Sequence, residues 1–173
     1  MTDTQFPRYY VFEQPSPGEP FIHAGSVHAP DGEMALLTAR DVFARRPERV
    51  AMWVGRDRDI HSLTKEQLEA APPEGNPASG GMLVYQLFAK TSHKGVCIHQ
   101  GEAAAAGPAA ALAAARAASP AALVWWAIPD AALIKSTPEE TGLLYESTPG
   151  KPFRHENQYH VRTMMMELKK KNL

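Results

Sequence analysis

Apolar and polar positions follow the same order twice along this chain. Arg8–Gln14 is rich in aromatic and β-branched residues and predicts a strand. Pro15-Ser16-Pro17-Gly18-Glu19-Pro20 predicts a turn, because its prolines cannot donate to a ladder. Phe21–Ala29 resumes as a second strand, giving a hairpin. Asp31 offers a carboxylate to the free N–H groups of a helix, and Glu33 suits its first turn. Ala35, Ala39, Val42 and Phe43 fall at i, i+4, i+7 and i+8, the spacing of one buried helix face. Pro47 predicts the end of that helix, and Val50–Val54 a short buried third strand. The order then recurs. Val84–Lys90 and Val96–Glu102 predict strands, and Gly107-Pro108 opens a helix over Ala109–Ala118. Ser119-Pro120 closes it before the apolar run Ala121–Ile128.

Specific residues recur with the pattern. His23-Ala24-Gly25 precedes Arg40 by fourteen residues, and His99-Gln100-Gly101 precedes Arg116 by the same fourteen. Trp53 is followed by Asp57, and Trp126 by Asp130. The second copy is three residues shorter between Arg and Trp, which predicts a helix shorter by about one turn. Internal repeats of this kind decide the architecture. The fold class that follows is α+β, two β-β-α-β repeats with largely antiparallel sheets, paired as an intramolecular pseudo-dimer that buries their exposed faces or edges. The boundaries are repeat 1 over 1–70, a Pro/Gly-rich linker over 71–82, a degenerate repeat 2 over 83–150 and a tail over 151–173. Thr64-Lys65-Glu66-Gln67 forms a capping box for a short helix ending near Ala71.

Composition narrows the function more by exclusion than by signal. The 173 residues carry a net charge of −1, which gives no general attraction to nucleic acid or an anionic membrane. No run approaches the length of a bilayer span, and the N-terminal residues lack the basic flank and apolar core of a signal peptide. With one cysteine, Cys97, a disulfide framework is excluded and a reducing cytoplasm is expected. The seven histidines form neither a Glu-x-x-His nor a His-Glu-x-x-His pattern. No phosphate loop is present. Ser62-Leu63-Thr64-Lys65 matches Ser-x-x-Lys but lacks the companion motifs, so it reads as a turn and cap. Cys97 and His99 alternate on a strand, yet nothing orients the histidine, and a buried structural thiol is the simpler account. His23 and His99 are either a paired recognition or proton-handling site or two locally bonded strand histidines. Trp53 and Trp126 suit the core, although tryptophan also anchors interfaces. Arg40, Arg45, Arg46 and Arg49 either solvate a helix end or grip a partner's carboxylates.

His23-Ala24-Gly25-Ser26-Val27-His28-Ala29, Glu33-Met34-Ala35-Leu36, Ala39-Arg40-Asp41-Val42-Phe43, Arg45-Arg46 and Met52-Trp53-Val54 resemble the phenylacetate-degradation protein B family, PaaB. The tail Lys151-Pro152-Phe153-Arg154-His155 resembles that family's C-terminal segment. The match runs closely from Tyr9 to about Ile60; the second copy keeps Tyr85, Gly101, Arg116 and Trp126. Typical members are single units, so this chain looks like a tandem in which one copy drifted. The resemblance implies a non-catalytic component without a cofactor or metal of its own. It implies a bacterial multicomponent di-iron monooxygenase acting on phenylacetyl-CoA or a related aromatic acyl-CoA, where such a component bridges the oxygenase subunits and a separate reductase supplies electrons. The expected partner-facing residues are His23, His28, Arg40, Arg45, Arg46, Trp53, Arg154 and His155. The alternatives are a stand-alone module binding an aromatic acyl-CoA or another small molecule, and an enzyme with a histidine base.

Overall fold

The computed structural model describes residues 6–44, 50–70, 81–137 and 139–140. β1 (Arg8–Gln14) and β2 (Ile22–His28) form the expected antiparallel hairpin. α1 (Gly32–Phe43) begins where Asp31 accepts the Met34 amide at 2.8 Å. β3 (Ala51–Arg56) returns beside β1. A single 3-10 turn, Asp57–Asp59, leads into β4 (His61–Thr64) and α2 (Lys65–Ala70). β5 (Leu83–Lys90), β6 (Ile98–Ala105), α3 (Pro108–Ala118) and β7 (Val124–Pro129) repeat that order. A second 3-10 turn, Asp130–Ala132, and β8 (Leu133–Lys135) follow.

The eight strands among the described residues join one sheet in the order β4-β7-β5-β6-β2-β1-β3-β8, and every pairing is antiparallel. The α+β class expected from the pattern is therefore present. The fourth strands β4 and β8 extend the expected β-β-α-β unit, and each leaves its own part of the chain. β4 pairs with β7, and β8 pairs with β3. Leu63 of β4 is buried with Tyr85, Leu87, Leu112 and Trp125, while Ile134 of β8 packs beside Val11, Leu36 and Val54. Neither half of the sheet has a complete core without a strand from the other.

Helices α1 and α3 cover one face of the sheet. They bury matching positions, Ala35, Leu36 and Ala39 on one and Ala111, Leu112 and Ala115 on the other. Small side chains let each helix approach the strands closely, and Leu fills the remaining space. Val42 does not join this face; it is exposed, and Leu36 occupies the buried stripe instead. The buried stripe runs through Ala35, Leu36, Ala39 and Phe43, which leaves Val42 at its edge. The expected shortening of the second helix is also corrected. α1 has 12 residues and α3 has 11, and the rest of the length difference lies in the shorter link from α3 to β7.

The Thr64 capping box forms as expected. Gln67 N–H donates to Thr64 Oγ1 at 3.2 Å, and Thr64 N–H donates to Gln67 Oε1 at 3.0 Å. The same reciprocal pair joins Thr137 and Glu140 at 3.2 and 2.9 Å. Thr-x-x-Glu was the available sequence signal for that second cap.

Candidate partner-binding surface

The centre of the sheet is set by two bulges. Val11 faces Gly25 and Phe12 faces His23, so Ala24 is the extra residue of β2; Leu87 faces Gly101 and Phe88 faces His99, so Gln100 is the extra residue of β6. Gly25 and Gly101 adopt φ of 152° and 121°, a region that side chains disfavour. Each bulge turns the preceding histidine onto the face away from the helices. There β2 and β6 meet through reciprocal bonds, His23 N–H to the Cys97 carbonyl at 2.9 Å and His99 N–H to the Phe21 carbonyl at 2.8 Å.

Aromatic rings crowd this face. Phe12 and Phe88 lie 4.4 Å apart between centroids. His23 sits among Tyr10, Phe12 and Trp126, at 5.1, 5.7 and 5.0 Å. His99 sits among Phe88 and Trp53, at 5.1 and 5.6 Å. Each histidine therefore packs on the tryptophan of the other part of the chain. Burial lowers both imidazole pKa values from the usual 6.5. Phe21 stacks on Trp53 at 3.7 Å.

The polar partners differ. His99 Nε2–H donates to Gln86 Oε1 at 2.7 Å. The Gln86 amide donates to Asp130 Oδ1 at 2.7 Å and to Glu102 Oε2 at 3.2 Å. Asp130 also pairs with Lys135, whose ammonium lies 4.8 Å above the Trp53 ring; that lysine holds the carboxyl below its usual range. His23 Nε2 is buried with no hydrogen-bond partner among the described residues. Tyr10 stands where Gln86 stands in the other half, and the Arg8 guanidinium lies over its ring at 5.3 Å while pairing with Asp57 at 2.8 Å.

The expected interface residues that are described, His23, His28, Arg40 and Trp53, are not gathered at one place. His23 and Trp53 belong to the aromatic face. His28 lies exposed at the end of β2, with Nδ1–H donating to the Phe6 carbonyl at 2.8 Å. Arg40 lies on the helical side and forks onto Asp41 at 2.9 and 3.0 Å. Arg45, Arg46, Arg154 and His155 lie outside the described residues, as does Arg49. Cys97 is buried and its thiol is pushed up to about 11, mainly by desolvation, which suits packing and not nucleophilic attack. Met34 and Leu37 were missed as candidates; with Val42 they are exposed on the outer side of α1. Their off-stripe helical spacing was the available signal.

Residues 5–76 match the family model described as Phenylacetic acid degradation B. The chain is also 37% identical over 67 residues to the B-type component of the 1,2-phenylacetyl-CoA epoxidase of Escherichia coli (strain K12), an alignment covering 39% of this chain and 70% of that protein. The chain belongs to the phenylacetic acid degradation B family. No solved structure matches it. The family segment takes in β1 through α2, so α1 and the His23 bulge lie inside it, while β5 through β8 and α3 lie beyond it. No helix among the described residues is long and apolar enough to cross a membrane.

Proposed function

We propose that this chain is a non-catalytic structural component of a multicomponent di-iron monooxygenase that acts on phenylacetyl-CoA or a related aromatic acyl-CoA. It bridges or organises the oxygenase subunits, which receive electrons from a separate reductase. The chain is a covalently joined duplicate of the single family unit. Residues 1–70 and 83–150 are the copies, 71–82 the linker and 151–173 the tail.

The observation that carries this reading is the 37% identity to a component of a phenylacetyl-CoA epoxidase. The geometry supports it in two ways. Matching bulges, matching caps and exchanged fourth strands support reading the sheet as a two-fold pair held in one polypeptide. The side chains best suited to chemistry are also engaged in packing, with Cys97 buried and both histidines wedged between aromatic rings. A linker makes the pairing of copies intramolecular, at an effective concentration of roughly millimolar.

Reconstitution with purified oxygenase and reductase subunits tests the role. Turnover of the acyl-CoA is expected to fall at least tenfold when this chain is omitted, and the chain alone is expected to turn over none. Turnover by the isolated chain, or tight calorimetric binding of the acyl-CoA to it, would instead favour an enzyme or a stand-alone binding module.

A further inference from the structure

We propose that His23 is an acid latch at the centre of the sheet: when its imidazole takes up a second ring proton, the ring leaves its place against Trp126 and the β2–β6 junction opens, while His99 stays seated when charged. This goes beyond the structural role proposed above and does not depend on it.

The two parts of the chain meet along three ladders. β3–β8 runs from Trp53 to Gly55 and β4–β7 from His61 to Thr64, whereas β2–β6 has Ile22 and Ile98 as its registered pair. The rest of that central ladder is the two amide bonds donated by His23 and His99 to the Cys97 and Phe21 carbonyls. The shortest ladder is therefore bonded through the two residues that carry imidazoles. The outer ladders hold the parts together when it opens, so the chain stays folded.

The two imidazoles differ at Nε2. Each has the backbone of its bulge glycine beside it, Gly25 or Gly101, which favours the charged form in both. A charged imidazole carries a proton on each ring nitrogen and needs two acceptors. His99 has one in Gln86 Oε1 at 2.7 Å, and the Gln86 amide is itself tied to Asp130 and Glu102. Glu102 favours a charge on His99, and Lys135 opposes it. His23 Nε2 is buried with no acceptor among the described residues. The rings packed on it are Tyr10 and Phe12 of β1 and Trp126 of β7. Lys90 of β5 opposes a positive charge there. Cys97, whose carbonyl takes the His23 amide, is a thiol pushed up to about 11 and so carries no balancing charge. Asp57, which stands where Asp130 stands in the other part, pairs with Arg8. A proton added at Nε2 of His23 is thus buried without an acceptor, and the ring relieves that by moving into water.

Amide hydrogen exchange on the full chain tests the latch, read by NMR as protection factors from about pH 7 to about pH 5. A ring that titrates near 6.5 when released and resists protonation when seated favours opening by up to about 30-fold at about pH 5. Protection of the His23 amide should therefore fall by about tenfold or more, and that of the His99 amide by about threefold or less, with unchanged far-UV circular dichroism. His23→Phe removes the titrating group and should hold its protection across the range. Tyr10→Gln gives His23 the acceptor that Gln86 gives His99, and should cut the loss at His23 to about threefold or less. Equal losses at the two histidine amides, no loss at His23, or a loss that persists in His23→Phe or in a folded Tyr10→Gln would overturn the latch. So would a fall in far-UV circular dichroism over the same range, since acid would then be unfolding the whole sheet. If Tyr10→Gln does not fold, His23→Phe and the comparison of the two amides still decide.

Discussion

His23 and His99 occupy the same place in the two parts of the sheet, and the chain surrounds them differently. Around His99 the polar groups form a chain of bonds from imidazole to Gln86, Asp130 and Lys135. Around His23 that chain is broken, because Tyr10 replaces Gln86 and His23 Nε2 has no hydrogen-bond partner among the described residues, while Asp57 pairs with Arg8. The shared features, bulge, aromatic packing and the tryptophan from the other part, hold the sheet together. The features that differ are the polar partners of the two imidazoles. The bulges show the same division. The Phe43 ring closes over Gly25, whereas the space beside Gly101 is open and Ser119 bonds to Gln100 at 2.8 Å.

The largest expected effect tests how far the two parts depend on each other. Leu63 leaves the first part and is buried in the core under α3. Leu63→Ala removes a packed side chain, at a cost of about 2–5 kcal/mol. The loss should appear in one transition seen alike by tryptophan fluorescence and far-UV circular dichroism, because neither core is complete alone. Two separated transitions would mean that the parts unfold independently.

A smaller effect sharpens the contrast between the bulges. At Gly101 an alanine meets only the strain of φ near 121°, costing about 1–3 kcal/mol. At Gly25 the added Cβ would also come within 2.8 Å of the Phe43 ring. Gly25→Ala should therefore be the costlier by about 1–3 kcal/mol, the usual penalty of overpacking. In a Phe43→Ala background that excess should vanish, as measured by denaturant unfolding in a double-mutant cycle. Equal costs at both glycines would show that the ring yields freely.

These contrasts were only partly legible in the sequence. The long elements were, because Tyr9 to Phe12 and Val84 to Phe88 carry strand composition and Asp31 is a cap in plain view. The exchange of β4 and β8 was not. His61–Thr64 and Leu133–Lys135 are too short for a period to show, and their partners lie far away in the chain. Val42 was misplaced because stripes through Val42 and through Leu36 both fit the helical period, and only packing on the sheet selects between them. Asp57 and Asp130 were visible as recurring residues, but their roles depend on Arg8 and Lys135, which only the folded sheet brings near.

The smallest effect concerns pH. Burial holds both histidines below 6.5 in the folded chain, and unfolding releases them to that ordinary value. The unfolded chain then binds more protons between the two values, so stability rises with pH through that window. The histidine contribution is full above about pH 6.5 and is lost as pH falls from there toward the folded values. His23→Phe keeps an aromatic ring between Tyr10 and Trp126 and removes one of the two titrating groups. Denaturation midpoints measured from about pH 8 to about pH 5 should fall less steeply in that variant. His99→Phe should flatten the slope too, but it also strips Gln86 of its imidazole donor and so lowers stability even at about pH 8. If His23→Phe instead lowers stability under those alkaline conditions as much as His99→Phe does, then Nε2 of His23 has a partner after all, and the polar asymmetry between the two halves is lost.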